Sequence, residues 1–178
     1  TQWIVNMPSE VRVNKAFYPN HKASLISGRI RDIAVDVPKT DSFDTGIRVL
    51  TASGGLYGIS EAQVDGSSMV SVFNLSKSLQ TSFNASLAVN PNRKGYILIG
   101  SGEPFITCGQ GLFLTQDNGA SWQQIAMDPS SPYPCLIHKM FFDPVLPFVV
   151  HAATSNGYMR SLDEGLTWER ISDNVDMT

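Results

Sequence analysis

An eight-residue pattern occurs twice in the sequence and constrains the fold more than any other feature. Residues 115–122 read Thr-Gln-Asp-Asn-Gly-Ala-Ser-Trp, and residues 161–168 read Ser-Leu-Asp-Glu-Gly-Leu-Thr-Trp. Both segments follow the pattern Ser/Thr-x-Asp-x-Gly-x-Ser/Thr-Trp, and Asp117 and Asp163 are 46 residues apart. A repeat of this period predicts several copies of one structural unit rather than a single irregular domain.

Each position of the pattern has a structural role in a tight hairpin between two strands. The glycine supplies the backbone conformation with positive φ that such a turn needs. The aspartate accepts hydrogen bonds from N–H groups of the loop, with the Ser/Thr hydroxyl as a local partner. The tryptophan begins the next strand and covers the hairpin with an apolar ring. The predicted hairpin residues are Thr115, Asp117, Gly119 and Trp122 in one copy, and Ser161, Asp163, Gly165 and Trp168 in the other.

Three further elements precede the hairpins in a constant order. Each copy has a strand that ends in a turn near a proline, then an apolar run, then a short strand opened by a glycine. The turns are marked by Asp36, Asn90 and Asp143, the runs are 47–52, 96–100 and 149–154, and the glycines are Gly55, Gly111 and Gly157. Successive turn residues are 54 and 53 residues apart. Four short strands in such a period are typical of a propeller blade.

The N-terminal part of the chain departs from the pattern. Residues 64–69 keep Asp65 and Gly66 but carry Met69 near the tryptophan position, which predicts a degenerate hairpin. Trp3 matches the tryptophan of a still earlier copy. The predicted units of one partial propeller domain are 1–27, as the end of a preceding blade or an N-terminal extension, then blades at 28–73, 85–126 and 134–172.

These motifs resemble the Asp-box, or BNR-repeat, β-propellers, which include sialidases, xyloglucan-active hydrolases, sortilin/VPS10 receptors and photosystem assembly factors. The resemblance covers about residues 28–172, and the phrases at 28–36 and 100–103 are more similar to VPS10-like and secreted bacterial repeat proteins than to sialidases. It implies an all-β fold with about three consecutive four-stranded blades of a larger ring of about six to ten blades.

Three blades cannot close a ring, because the smallest natural propellers have four. Open end blades would expose strand edges and apolar faces. We therefore expect the remaining blades to belong to the same chain or to a partner subunit. A chain that starts at Thr1, without methionine or a signal-peptide pattern, is expected to be processed or cut from something longer.

Composition excludes several classes of function. The formal charge of -3 gives no footprint for nucleic acid, which needs clustered lysine and arginine. No apolar run is long enough for direct membrane insertion. We expect neither a cofactor nor a metal, because the three histidines are isolated and the hairpin roles account for Asp117 and Asp163.

The best candidate for a binding surface is the loop of residues 101–110. In a propeller of this topology it lies on the top face, with the connection at 128–134 beside it. Glu103 and Phe105 are its candidate binding residues, and Tyr133 is a candidate stacking platform for a sugar or peptide. The alternative is that both segments are ordered surface loops without a ligand.

Cys108 lies in this loop, and Cys135 begins the first strand of the next blade, so the two should approach each other on the top face. A disulfide between them would tie two blades together and would fit an oxidising compartment: secreted, periplasmic or at the cell surface. Two ordinary thiols remain the alternative.

No catalytic residue is predicted, because no acid–base or nucleophile set stands out. A glycosidase needs two carboxylates at a defined separation. Asp32, Asp36 and Glu103 are available, but Asp36 is explained as a turn cap and Asp32 as an alternating polar position.

A sialidase would also need arginines around the carboxylate of its substrate. Its candidates are Arg29, Arg31 and Arg48, but the proline that follows Arg-Ile in the sialidase pattern is missing.

The function that we favour is an extracytoplasmic scaffold or recognition module that binds a protein or glycan through its top-face loops, without catalysis. The alternative is part of a sialidase- or xyloglucanase-like glycoside hydrolase whose catalytic residues lie on blades outside this chain. An assembly factor docking onto a membrane complex predicts a basic patch, which the negative net charge disfavours.

Overall fold

The computed structural model describes residues 5–6, 29–36, 46–64, 67–81, 83–104, 106–128 and 132–172. These residues form thirteen strands and no helix, so the prediction of an all-β fold is confirmed. None of the described segments could therefore cross a membrane as a helix.

The strands form three sheets that follow one another along the chain. Sheet 1 contains β1 (Val5–Asn6), β2 (Ile30–Val35), β3 (Ile47–Thr51), β4 (Gly55–Val64) and β5 (Ser67–Asn74). Sheet 2 contains β6 (Asn84–Val89), β7 (Ile97–Ser101), β8 (Leu112–Thr115) and β9 (Gln123–Ile125). Sheet 3 contains β10 (Ile137–Phe142), β11 (Val150–Thr154), β12 (Gly157–Ser161) and β13 (Glu169–Ser172).

Each sheet is an antiparallel meander of four consecutive strands, and β1 adds to sheet 1 in parallel with β5. The first strands of the sheets, β2, β6 and β10, contact one another. This arrangement is a partial β-propeller of three four-stranded blades, as the repeat predicts.

Two apolar cores lie between the sheets. Strand β7 explains why, because its side chains alternate: Ile97 and Ile99 pack against sheet 1, whereas Leu98 packs against sheet 3. A strand that is buried on both faces requires a continuous apolar run, and the sequence has one there. The first core contains Leu50, Leu56, Leu75, Leu87, Ile97 and Ile99; the second contains Leu98, Leu112, Leu114, Met140, Val150 and Met159 among others.

A repeated hydrogen bond ties the inner strands together. The register of β2, β6 and β10 shifts at the same point, and the residues that follow the shift are Asp32, Ser86 and Lys139. The Asp32 carboxylate accepts a hydrogen bond from the N–H of Leu87 at 2.9 Å, and the Ser86 hydroxyl accepts one from the N–H of Met140 at 2.8 Å. At Asp32 and Ser86, the register shift thus places a side-chain hydrogen-bond acceptor next to the backbone of the following sheet.

Two of the three turn residues cap their own turns. The side-chain oxygen of Asn90 accepts hydrogen bonds from the N–H groups of Asn92 and Arg93, and Asp143 does the same for Val145 and Leu146. The prediction of turn caps is confirmed at these two positions. The carboxylate of Asp36 pairs with Arg48 inside the protein, and the turn that follows Asp36 lies outside the described residues.

Sheet 1 has a longer outer hairpin than the other two. The ladder pairs Ile47 with Ile59 in the way that it pairs Ile97 with Thr115 in sheet 2. Ile59 therefore occupies the position of Thr115, but it has no hydroxyl that could close a tight turn. Strand β4 continues instead to Val64. A degenerate hairpin at 64–69 is thus displaced outward from the position of the intact copies. Asp65, Gly66 and Trp3 lie outside the described residues.

Candidate functional site

Hairpin 115–122 is closed by a network centred on Asp117. The hydroxyl of Thr115 donates a hydrogen bond to Asp117 at 2.7 Å and accepts one from the N–H of Gly119 at 2.9 Å. Ser121 donates to the same carboxylate through its N–H at 2.9 Å and its hydroxyl at 2.5 Å. These bonds from Ser121, together with that from Thr115, lower the pKa of Asp117 to about 2.

Hairpin 161–168 repeats the network. Ser161 donates to Asp163 at 2.8 Å and accepts from Gly165 at 2.8 Å, while Thr167 donates twice to Asp163, at 2.8 and 2.6 Å. Burial raises the pKa of Asp163, but the hydrogen bonds from Thr167 and Ser161 outweigh it, so the net shift is downward. Both aspartates are occupied within their loops, and no cluster of metal-ligating side chains occurs among the described residues.

Positive φ occurs at two consecutive residues of each hairpin. Gly119 and Gly165 have φ of 87° and 98°, as the pattern predicts. The residues before them, Asn118 and Glu164, also have positive φ, at 59° and 62°. Asparagine before glycine is typical of such a turn, so the sequence carried a signal at Asn118, whereas a glutamate gives none at Glu164.

The hairpins attach to their neighbours in different ways. The indole N–H of Trp122 donates to the carbonyl of Leu75, which follows sheet 1, at 3.2 Å. The indole N–H of Trp168 donates within its own hairpin, to Gly165 at 2.9 Å. The second hairpin is fastened through Glu164, whose carbonyl accepts from the Tyr96 hydroxyl at 3.2 Å. Desolvation by burial raises the pKa of Tyr96 to about 12, so this hydroxyl remains a donor.

A disulfide joins Cys108 to Cys135, with their Cα atoms 4.4 Å apart. Beside it, the N–H of Gly109 donates to the carbonyl of Cys135 at 2.6 Å. The loop 101–110 of sheet 2 and the connection that leads into sheet 3 are therefore held together on one face. This face is the one at which the sequence predicts the binding loops, the top face.

The structure describes two of the three residues that the sequence singles out for binding, and their exposure differs. Glu103 is 6 % exposed, and its carboxylate is ion-paired with Arg29 of sheet 1. Tyr133 is 48 % exposed at the surface of the connection. Phe105 lies outside the described residues. Of the described two, Tyr133 alone is presented to a ligand.

A groove of about 320 Å³ opens next to Tyr133. Its walls come from the connection between sheets 1 and 2, the end of loop 101–110, strands β8 and β9, and the connection between sheets 2 and 3. We call it the amide groove, and its lining residues are Gln80, Gly109, Gln110, Phe113, Gln124 and Tyr133. Sequence reasoning missed the three glutamines, because nothing in their spacing distinguishes them from surface residues.

The candidate acidic residues of a glycosidase are all paired with basic side chains. Asp32 binds the ammonium of Lys139 at 2.8 Å, in addition to the Leu87 N–H. Asp36 binds Arg48 at 2.8 Å, and neither side chain is exposed. The prediction that Asp32 is only an alternating polar position missed its role as a tie between three sheets.

Of the arginines considered for a sialidase, Arg48 is fully buried and Arg29 is paired with Glu103. Neither is free to form the bidentate contact that a substrate carboxylate requires.

Comparison with solved structures finds the same fold in two GH74 enzymes, which are β-propellers. An ancestral GH74 enzyme matches with a TM-score of 0.50 and 19% identity, over 82% of this chain and 24% of that chain. A GH74 enzyme of Niastella koreensis matches with a TM-score of 0.51 and 14% identity, over 78% of this chain and 23% of that chain. The sequence matches no protein-family model and no curated protein. This chain thus has the fold of a β-propeller segment and spans about a quarter of either enzyme.

Proposed function

We propose that this chain is part of an extracytoplasmic Asp-box β-propeller that recognises a protein or glycan through its top-face loops, without catalysis. The observation that carries the proposal is how the charged groups are used. Asp32, Asp36 and Glu103 are each bound to a basic side chain, whereas the described residues that line the open amide groove include no carboxylate. Most glycoside hydrolases need two carboxylates at the scissile bond, and a recognition site needs none.

The disulfide supports an extracytoplasmic location, since disulfides persist in oxidising compartments and are rare in the cytosol. The matching networks around Asp117 and Asp163 support the Asp-box resemblance, because both use the two Ser/Thr positions, the aspartate and the glycine of the pattern. Labelling the unreduced protein with a thiol reagent tests the location argument. Incorporation at both Cys108 and Cys135 would remove it.

The partner surfaces that we propose first are the two open ends. Ile33 and Val35 on sheet 1, and Phe141 on sheet 3, are large apolar side chains that are half or more exposed. Further blades, from the same polypeptide or from a partner subunit, would cover them. The intact mass of the native polypeptide that contains these residues distinguishes the two sources.

The second candidate function is part of a glycoside hydrolase. The observation that favours it is the shared fold with two GH74 enzymes, of which this chain spans about a quarter. On that hypothesis, the catalytic residues lie on blades outside the chain, and the described residues contribute scaffold and binding surface.

The deciding experiment incubates this chain with soluble xyloglucan and with a sialylated oligosaccharide, and measures released sugar and retention on the immobilised polymers. We expect no release above that of the heat-unfolded protein. Release by this chain would overturn the recognition proposal. Release by the native polypeptide, but not by this chain, would support the hydrolase alternative.

A further inference from the structure

We infer that the amide groove is a subsite for a neutral oligosaccharide and that the disulfide holds the walls of this groove in position. This inference rests on the recognition function proposed above and names the class of ligand at that face. It is carried by three features of the groove: the chemistry of its lining, the exposed ring at its rim, and the cross-links that hold its walls.

The lining indicates the class of ligand. Gln80, Gln110 and Gln124 each offer a carboxamide, which both donates and accepts hydrogen bonds, and none of the described residues that line the groove is charged. Sugar hydroxyls have the same dual character. An anionic sugar would instead need arginine or lysine to replace its hydration. The groove is therefore matched to neutral, hydroxyl-rich ligands.

Tyr133 supplies a stacking surface beside these amides. About half of this side chain is exposed, while Phe113 forms a buried apolar floor. Gly111 allows the close approach: its φ is 84°, and a Cβ at this position would lie 3.1 Å from atoms of Tyr133. The aromatic ring is thereby held against the backbone, where the apolar face of a pyranose ring can pack on it.

The walls are held in place before any ligand arrives. Gln110 and Tyr133 each lie two residues from a cysteine of the Cys108–Cys135 disulfide. The N–H of Gln110 donates to the Ser101 hydroxyl at 2.7 Å, and the side chain of Gln124 donates to the carbonyl of Gln110 at 2.6 Å. Because the loops are ordered on folding, binding loses less conformational entropy. A volume of about 320 Å³ is at the small end of ligand sites and suits a short stretch of a longer chain.

The test is calorimetric titration of this chain with cellohexaose and mannohexaose as neutral probes, and with hexagalacturonate as an anionic probe of equal length. We expect at least one neutral probe to bind and the anionic probe not to bind. Tyr133→Ala and Gln124→Ala should each weaken binding about tenfold, which corresponds to about 1.4 kcal/mol. Gln123→Ala is the matched control, because Gln123 precedes Gln124 on β9 and faces the other side of the sheet. Thermal unfolding checks that all three variants are folded.

Reduction of the disulfide gives a second readout. If the cross-link positions Gln110 and Tyr133, dithiothreitol should weaken binding by the native sequence several-fold while the sheets remain folded by circular dichroism. Unchanged affinity after reduction would overturn the positioning role of the disulfide.

The outcomes separate this inference from the function on which it rests. Failure of both neutral probes to bind, or binding of hexagalacturonate alone, overturns the neutral subsite but leaves recognition of a protein intact. Equal binding by Tyr133→Ala and the native sequence places the ligand elsewhere and overturns the subsite alone. Cleavage of a probe during the titration overturns the non-catalytic proposal. The Tyr133 and Gln124 variants then still show whether the probe binds in the amide groove.

Discussion

Two carboxylates bind a basic side chain at the same position in the first and third sheets, but the two pairs differ in their surroundings. Arg48 lies opposite Ala34 and binds Asp36 at 2.8 Å, with both side chains 0% exposed. His151 lies opposite Phe141 and binds Asp143 at 3.0 Å, with side chains 19% and 26% exposed. Arg48 lies on the same face of β3 as Leu50, which packs in the core shared with sheet 2, whereas no sheet follows sheet 3 among the described residues. The comparison indicates that a following sheet buries such a pair more deeply.

The preceding sheet has the same effect on apolar residues. Leu87 of β6 packs against sheet 1 and is 3% exposed. Ile33 has the corresponding register in β2, since it pairs with Val49 as Leu87 pairs with Ile99, yet Ile33 is 58% exposed. The same strand position is therefore buried in sheet 2, at Leu87, and exposed in sheet 1, at Ile33.

The largest effect is expected from replacing the basic side chain of each pair. Arg48→Met should lower the free energy of unfolding by about 3–5 kcal/mol, because it leaves the Asp36 carboxylate buried without its cation. His151→Gln should cost less than about 1 kcal/mol, because its pair is partly hydrated. Urea denaturation of both variants measures the difference. Equal losses would contradict the role that we assign to sheet 2.

A smaller effect is expected from truncating the corresponding apolar residues. Leu87→Ala should cost about 2–5 kcal/mol through loss of buried contacts. Ile33→Ala should change stability by about 0.5 kcal/mol or less in this chain. In a longer polypeptide that supplies a preceding blade, the cost of Ile33→Ala should approach that of Leu87→Ala. Denaturation of both lengths of protein makes this comparison, and no change with length would indicate that no blade covers Ile33.

The two hairpins extend the comparison to the outer edge of the sheets. Gly119→Ala and Gly165→Ala both place a side chain at positive φ, which costs about 1–3 kcal/mol. The Gly119 variant should be the less stable, because its Cβ would collide with the carbonyl of Leu75. At Gly165 the nearest atom, at 2.8 Å, is a methyl carbon of Leu98, which can rotate away. Thermal unfolding ranks the two variants, and the reverse order would contradict the seating of hairpin 115–122 on sheet 1.

The smallest effect is expected from acid. The pKa of Asp117 is lowered from 3.8 to about 2 in the folded protein, so its charge stabilises the hairpin above about pH 4. This contribution is lost as the pH falls toward 2. Asp117→Asn should therefore be less stable than the parent near pH 5, with a difference that shrinks near pH 2.5. Denaturation midpoints at both pH values test this, and a constant difference would exclude a role for the charge.

The sequence predicted the hairpins because the hydrogen bonds that close their turns are local. Thr115, Asp117, Gly119 and Ser121 lie within seven residues and interact with one another, so the spacing alone specifies the turn. The prediction for Glu103 illustrates the opposite case. A glutamate in a long loop suggested a binding residue, but its carboxylate is bound to Arg29, which belongs to another sheet.

The amide groove could not have been predicted for the same reason. Gln80, Gln110 and Gln124 come from three separate segments, and only the packing of sheets 1 and 2 brings them around Phe113. Tyr133 could be predicted as a binding residue because an aromatic side chain in a polar loop is unusual. A glutamine is common at protein surfaces and gives no such signal.

The sequence by itself determined the all-β class, the repeating order of strands and the two hairpins, since hydrogen bonds within a few residues and the alternation of strand side chains encode them. Only the tertiary structure decided which carboxylates are paired, which apolar faces are open and where a groove forms. Asp32 shows why, because its partners Leu87 and Lys139 are 55 and 107 positions away in the sequence. One blade does not carry that information, because the next blade supplies the partner.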